Sequence, residues 1–297
     1  MPHISVLMNE VLELLNVQPG MTVVDTTAGA GGHLRRLADA VGPSGRVFGI
    51  DRDLRAFEES AAGGVAAAYA DRVTLKHAPF SEVSRLLSEE GVSGVDALLC
   101  DLGVSSMQLD EAERGFSFRN DGPLDMRMDK TRGETAWELL ASTDERDIAD
   151  ILFHYGEERR SRHIAHAIKR SWPLPDSTLA LAELIARVMG GQRGRIHPAT
   201  RSFQALRIAV NRELDELDTL LDSLPALLRS GGRAAVISFH SLEDRKVKHS
   251  FRSGARADDV RPAFYRLLNK RPLMASDDER DQNPRSRSAK LRAVERV

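Results

Sequence analysis

The chain has 297 residues, 41% hydrophobic and 29% charged, enough for one large globular domain or two modest ones. A formal net charge of −2 excludes a protein that coats nucleic acid by charge alone, so any RNA site must be a local basic patch. The single cysteine, Cys100, excludes an internal disulfide and a multi-cysteine metal site, and no run reaches the ~20 apolar residues that span a bilayer. Residues 1–20 carry Glu10 and Glu13 and no apolar signal-peptide core, so the expected location is the cytoplasm, with no membrane partner.

Val6–Leu15 has apolar residues near helical spacing and stops at Gln18-Pro19-Gly20. Met21–Asp25 is a short apolar run ending in a carboxylate, followed by the glycine-rich Thr27-x-Gly29-x-Gly31-Gly32-His33 and a helix over Leu34–Val41. Arg46–Asp51, Val73–Leu75 and Asp96–Asp101 read as further strands. Short, continuously apolar strands alternating with helices predict a parallel α/β sheet. The next such strand, Gly232–His240, begins more than 125 residues after Asp101, far beyond an ordinary crossover. Helical patterns fill the gap at Thr135–Ala141, Asp144–His154, Glu157–Trp172 and Thr178–Met189, and one long helix runs from about Arg201 to Leu228. Ser142–Glu145 has a capping-box pattern. The expected organisation is a sheet domain over 1–106 and 213–297, the second part with a basic C-terminal tail, interrupted by an all-helical domain over 107–212. Residues 253–288 are expected to run as surface loop.

Glycines between a strand and a helix let a ligand approach the backbone, and the helix N-terminus offers unpaired N–H groups. The spacing is not the dinucleotide Gly-x-Gly-x-x-Gly. Asp51, ending the second strand, is placed to accept ribose hydroxyls, and the two features together favour an adenosine-containing cofactor. Asp101-Leu-Gly-Val-Ser-Ser106 lies where open α/β sheets put their chemistry. A carboxylate there accepts a hydrogen bond from a substrate amine, or merely forms an Asx-turn.

From here the chain resembles a known family, the bacterial 16S ribosomal RNA cytidine N4-methyltransferases, also called RsmH or MraW. The blocks that carry the resemblance span nearly the whole chain. They include His3-x-x-Val-Leu7, the glycine turn through His33, Ile50–Asp53, Asp101–Ser106, Gln108–Asp110 and Glu113–Phe118. They continue through Leu124–Asp129, Tyr155–Arg159, His197–Arg201, Phe203–Ile208, Ile237–Arg245 and Asn283–Ser288. The resemblance implies a class I, Rossmann-like methyltransferase sheet with a helical insertion, and S-adenosyl-L-methionine as cofactor. It implies cofactor binding by Gly31, Gly32, His33, Asp51, Phe80, Asp101 and Gln108, with Phe80 packing on adenine. It implies as substrate the N4 amine of a decoding-centre cytidine in the small ribosomal subunit. Met107 and Leu34 depart from the proline and serine usual in the family.

Asp101, or the carbonyls of Leu102 and Gly103, is the expected acceptor for the amine N–H. Phe116, Phe118, Phe239 and His240 are candidates for stacking on the base. Cys100 sits inside an apolar strand, so a buried small side chain is expected rather than a nucleophile. The nine histidines show no metal-ligand spacing, so no catalytic metal is expected. Arg193, Arg195, Arg201, Arg207 and Arg212 fall in one stretch without an acidic residue, and the first four, with His240, are candidate RNA contacts. Arg285, Arg287, Lys290, Arg292 and Arg296 form a second basic group. Ser241 with Asp244 matches a helix N-terminal cap. A ribosome-assembly factor that holds cofactor and rRNA without turnover, and a DNA N4-cytosine or small-molecule methyltransferase, remain open alternatives. The sequence leaves both a monomer and a homodimer open.

Overall fold

The computed structural model describes residues 5–191, 197–257 and 262–297. It divides into two compact units, residues 1–103 with 214–297, and residues 104–213. Val104–Ser106 therefore belong with the helical unit, not with the sheet as their motif suggested.

In the first unit α1 (Met8–Leu15) precedes β1 (Thr22–Asp25), α2 (Gly32–Val41), β2 (Arg46–Asp51), α3 (Ala62–Ala68), β3 (Val73–His77), α4 (Val83–Glu89) and β4 (Val95–Asp101). Successive strand residues point to opposite faces, and both faces are buried. Val24, Phe48, Ile50, Leu98 and Cys100 join one apolar cluster, while Val23, Val47, Ala97 and Leu99 join the other. Cys100 is fully buried, as its strand position predicts, and burial pushes its thiol pKa up. The family departure Leu34 is also fully buried, so an apolar residue there feeds the core.

The second unit carries α5 (Ser106–Asp110), α6 (Ala136–Ser142), α7 (Glu145–Gly156), α8 (Ser161–Arg170), α9 (Thr178–Met189) and α10 (Thr200–Asn211) around its own apolar core. Gly156 lets α7 approach α10, since a Cβ there would lie 2.6 Å from the Arg201 carbonyl oxygen. Asn211 is 2% exposed and saturates its amide: Nδ2 donates to Met126 O and Arg207 O, and Oδ1 accepts from Met128 N. Asp144, not Ser142, caps α7 by accepting from Asp147 N at 2.8 Å.

The long helix expected to end near Leu228 is two helices, because Arg212 adopts a left-handed conformation with φ 51° and ends α10. The chain returns to the sheet through α11 (Glu213–Leu227), β5 (Leu228–Ser238), α12 (Ser241–Gly254), β6 (Tyr265–Leu267), α13 (Asp277–Gln282) and β7 (Lys290–Arg296). The strand order is β3-β2-β1-β4-β5-β7-β6, with β1 to β5 parallel and β7 antiparallel to both its neighbours. This is the class I methyltransferase-type sheet expected from the resemblance.

Two expectations for the C-terminal region fail. Residues 253–288 contain β6 and α13 rather than loop alone. The basic tail is largely strand β7, and several of its cations are consumed by the fold. Arg292 donates to Asp244 at 2.7 Å, Lys290 lies 3.5 Å from the same carboxylate, and Arg296 donates to Pro225 O.

Candidate active site

Parallel strands bring three carboxylates to one sheet edge. Asp25 ends β1, Asp51 ends β2 and Asp101 ends β4, and the register sets Asp25 beside Leu99. Asp51 accepts from Gly29 N at 2.7 Å through Oδ2 and from Asp53 N at 2.8 Å through Oδ1. Each oxygen keeps a lone pair for a ligand hydroxyl. Burial, the largest cause, raises its pKa to about 6 against the opposing pull of those two N–H groups.

Asp25 is 1% exposed; burial raises its pKa to about 7, and the Asp51 charge adds to the rise. The Asp101 carboxyl is pushed well above the usual range by burial, then by the charges of Asp25 and Glu243. Among the described residues, Asp25 Oδ2 and Asp101 Oδ1 are buried oxygens with no hydrogen-bond partner. An uncompensated buried carboxylate oxygen is costly, so this edge suits a ligand that brings positive charge or donors.

The glycine turn closes over the same edge. Gly31 has φ +81°, and a Cβ on it would lie 2.8 Å from Val65 Cγ2 and 3.0 Å from Ala62 Cα. Gly31→Ala is expected to cost about 2–3 kcal/mol from left-handed backbone and overpacking together. A denaturant midpoint equal to that of the unsubstituted protein would refute this.

A family model described as the MraW methylase family matches residues 1–297. The chain belongs to the MraW methylase family. It is 50% identical over 298 residues to the "Ribosomal RNA small subunit methyltransferase H" of Sorangium cellulosum, covering 99% of this chain and 91% of that protein. Proteins of the same name from Koribacter versatilis and Syntrophotalea carbinolica are 46% and 47% identical, each covering 99% of this chain and 94% and 98% of their own lengths. The chain is thus a methyltransferase, with S-adenosylmethionine as its cofactor. The unpaired carboxylate oxygens suit its sulfonium and ammonium charges, and the free lone pairs of Asp51 suit its ribose.

The structure sorts the remaining candidate residues. Gly31 is the N-cap of α2 and Gly32 its first residue. Phe80 follows Pro79 after β3 and packs, half-buried, against the apolar cluster on one face of the sheet. His33 is 6% exposed, with one ring nitrogen toward Val6 O and the other toward Asp101. Gln108 belongs to the helical unit and closes the α5 capping box, its Oε1 accepting from Ser105 N at 2.9 Å. His240, not Ser241, caps α12: Nδ1 accepts from Glu243 N, and Nε2 lies 3.1 Å from Glu243 Oε1. That role within the fold counts against His240 as an RNA contact.

Arg207 is not free for RNA either, because it pairs bidentately with Glu213 at 2.8 Å. Arg201 is exposed and donates to the Glu157 carbonyl oxygen, a neutral partner that leaves the arginine its charge. Arg193 and Arg195 lie outside the described residues. Among the stacking candidates, Phe116 is buried at 8% exposure, Phe118 stands 4.7 Å from the rings of His197 and Phe203, and Phe239 lies against Gly103. Sequence reasoning missed Asp25 and Glu243. Asp25 is legible as the carboxylate closing an apolar strand before the glycine turn but is assigned no role there, and Glu243 is signalled by its place three residues into the helix that follows β5.

Proposed function

We propose that this methyltransferase modifies the exocyclic N4 amine of a decoding-centre cytidine in the 16S RNA of the small ribosomal subunit. The observation that carries this reading is full-length identity of about one half to proteins named as small-subunit ribosomal RNA methyltransferases. A ribosomal substrate supports a cytoplasmic location, and no described helix is long and apolar enough to cross a membrane.

When bound, S-adenosylmethionine supplies an electrophilic methyl group on a sulfonium sulfur. The protein's part is to hold and deprotonate the amine. The cytosine N4 lone pair is delocalised into the ring, so an acceptor on its N–H favours a more nucleophilic nitrogen. The Asp101 carboxylate, 21% exposed at the sheet edge and with Oδ1 lacking a partner among the described residues, is the acceptor of choice. Its backbone N–H is anchored by Thr27 Oγ1 at 2.7 Å, which fixes the strand end against the glycine turn. Asp51 would hold the ribose hydroxyls and Asp25 would face the cofactor's positive charge.

The helical unit supplies a cationic surface for the phosphate backbone. Arg159, Arg160 and Arg162 are exposed at the start of α8, and Arg201 reaches the same segment through Glu157 O. Arg160 donates to the Val188 carbonyl oxygen, so both it and Arg201 are held by neutral acceptors that leave their charges available. Arg159→Glu with Arg162→Glu is expected to weaken subunit binding and lower the salt slope by about one for each phosphate released, with cofactor affinity unchanged. An unaltered salt slope would remove this surface from the interface.

The test of the whole reading is nucleoside mass spectrometry of small subunits incubated with the protein and labelled S-adenosylmethionine. N4-methylcytidine, or its 2′-O-methylated form where the ribose is already modified, is the expected product. Label in another nucleoside would overturn the target.

A further inference from the structure

The imidazole of His33 meets a backbone carbonyl with one nitrogen and faces a carboxylate with the other. Nε2 lies 3.1 Å from the carbonyl oxygen of Val6. A carbonyl only accepts, so the ring must carry a proton on Nε2. That leaves Nδ1 facing Asp101 Oδ2 at 3.6 Å, within ion-pair distance, with the ring 6% exposed. A ring held in this way presents Nδ1 to Asp101. The family resemblance instead counts His33 among the cofactor contacts.

We propose that His33 is the proton partner and positioning residue of Asp101, and that the pair takes up the proton the substrate amine loses on methylation. This rests on the methyltransferase reading above. The amine lone pair forms the N–C bond while the C–S electrons return to sulfur, leaving a neutral thioether and a cationic nitrogen. One N–H bond then breaks, its electrons staying on nitrogen. The proton passes to the Asp101 carboxylate, where the Nδ1 lone pair of His33 shares it. The pair goes from one negative charge to none, matching the positive charge lost from the sulfonium. No other co-reactant is needed.

The surroundings favour uptake of that proton. Asp25 faces Asp101 from the end of β1 and Glu243 from the first turn of α12, and both charges raise the Asp101 pKa together with burial. Asp51 adds its charge behind Asp25, and His240 stands on Glu243. The Asp101 side chain keeps 21% of its surface exposed, which leaves the carboxylate open to the amine while Oδ2 also faces the histidine.

The experiment compares His33→Asn, which keeps a donor toward Val6 O, and His33→Phe, which keeps the ring shape without nitrogen. Thermal melts establish folding of each. Calorimetry with S-adenosylhomocysteine gives cofactor-site affinity, and single-turnover rates on small subunits at saturating S-adenosylmethionine give the chemical step across pH. The expected result is affinity within about threefold of the unsubstituted protein. The plateau rate falls by at least about tenfold. The acidic limb of the pH profile moves to lower pH, because a proton on Asp101 loses its second acceptor. Tenfold weaker affinity with an unchanged saturating rate would make the ring a cofactor ligand and overturn the proposal. A lower rate with an unmoved pH limb would reduce His33 to a structural prop and overturn it too.

Nitrogen NMR of histidine-labelled, unsubstituted protein gives a reading that does not depend on either variant folding. His33 should be protonated on Nε2, with its Nδ1 resonance displaced by Asp101→Asn. An Nδ1 resonance indifferent to Asp101 overturns the pair. Absence of methyl transfer by the unsubstituted protein would instead be the failure of the substrate reading, and the NMR result would still decide the pair.

Discussion

Asp101→Ala is expected to lower methyl transfer by roughly 10²–10⁴-fold, the range in which a positioned proton acceptor contributes. The backbone that carries this residue is held independently of its side chain, by the Thr27 hydroxyl and by pairing with Ile237 on β5. The variant should therefore fold, and with one buried carboxylate fewer the ligand-free protein should be no less stable. Asp101→Asn separates charge from shape. An asparagine can still accept a hydrogen bond through its carbonyl oxygen but cannot take a proton at pH 7. If it retains the unsubstituted rate, proton uptake by Asp101 is wrong and hydrogen-bond acceptance alone suffices. If Asp101→Ala retains that rate, the loop carbonyls of Leu102 and Gly103 must supply the acceptor.

The sheet half of this site was readable because its signals are local. Val23-Val24-Asp25, Val47–Asp51 and Ala97–Asp101 are apolar runs closed by a carboxylate, and parallel pairing brings such ends to one edge. The insertion was readable from a gap in the strand pattern too long for a crossover. What escaped depends on contacts between residues distant in sequence, or on backbone turns without a signature. β7 reads as part of a basic tail because Lys290, Arg292 and Arg296 stand against a single glutamate, Glu295, in the sequence. The charges of Lys290, Arg292 and Glu295 disappear only when Asp244 and Arg233 are seen opposite them. Arg207 looks like an RNA contact until Glu213 is found across the α10 terminus, and the terminus itself is set by a left-handed arginine rather than a glycine. The partners of His33 illustrate the same limit, since Val6 and Asp101 lie far from it along the chain.

Stability of the ligand-free protein is expected to fall as pH rises from about 4.5 to about 7, and the cause is Asp25. Its folded pKa of about 7 lies above the ordinary value of 3.8, so the folded state binds more protons than the unfolded chain between those limits. Stability from this group is fully present below the unfolded pKa and is lost as pH climbs through the folded one. Each pKa unit corresponds to about 1.4 kcal/mol, which makes the loss a few kcal/mol. Asp51, with a pKa of about 6, works in the same direction over a lower window. Carboxylates held low by cation partners, such as Asp125 beside Arg127 and Asp244 beside Arg292, act oppositely, but only at more acidic pH. Denaturant midpoints across this range should therefore decline, and Asp25→Asn should flatten the decline whatever its absolute stability. A cationic cofactor reverses the relation, because it favours the ionised carboxylates. Its affinity should rise through about pH 6–7, with proton release that calorimetry in buffers of different ionisation enthalpy can count. Binding without proton release near pH 6 would mean that Asp25 and Asp51 are already ionised in the ligand-free protein. The buried charge would then have to be met by groups on the protein itself.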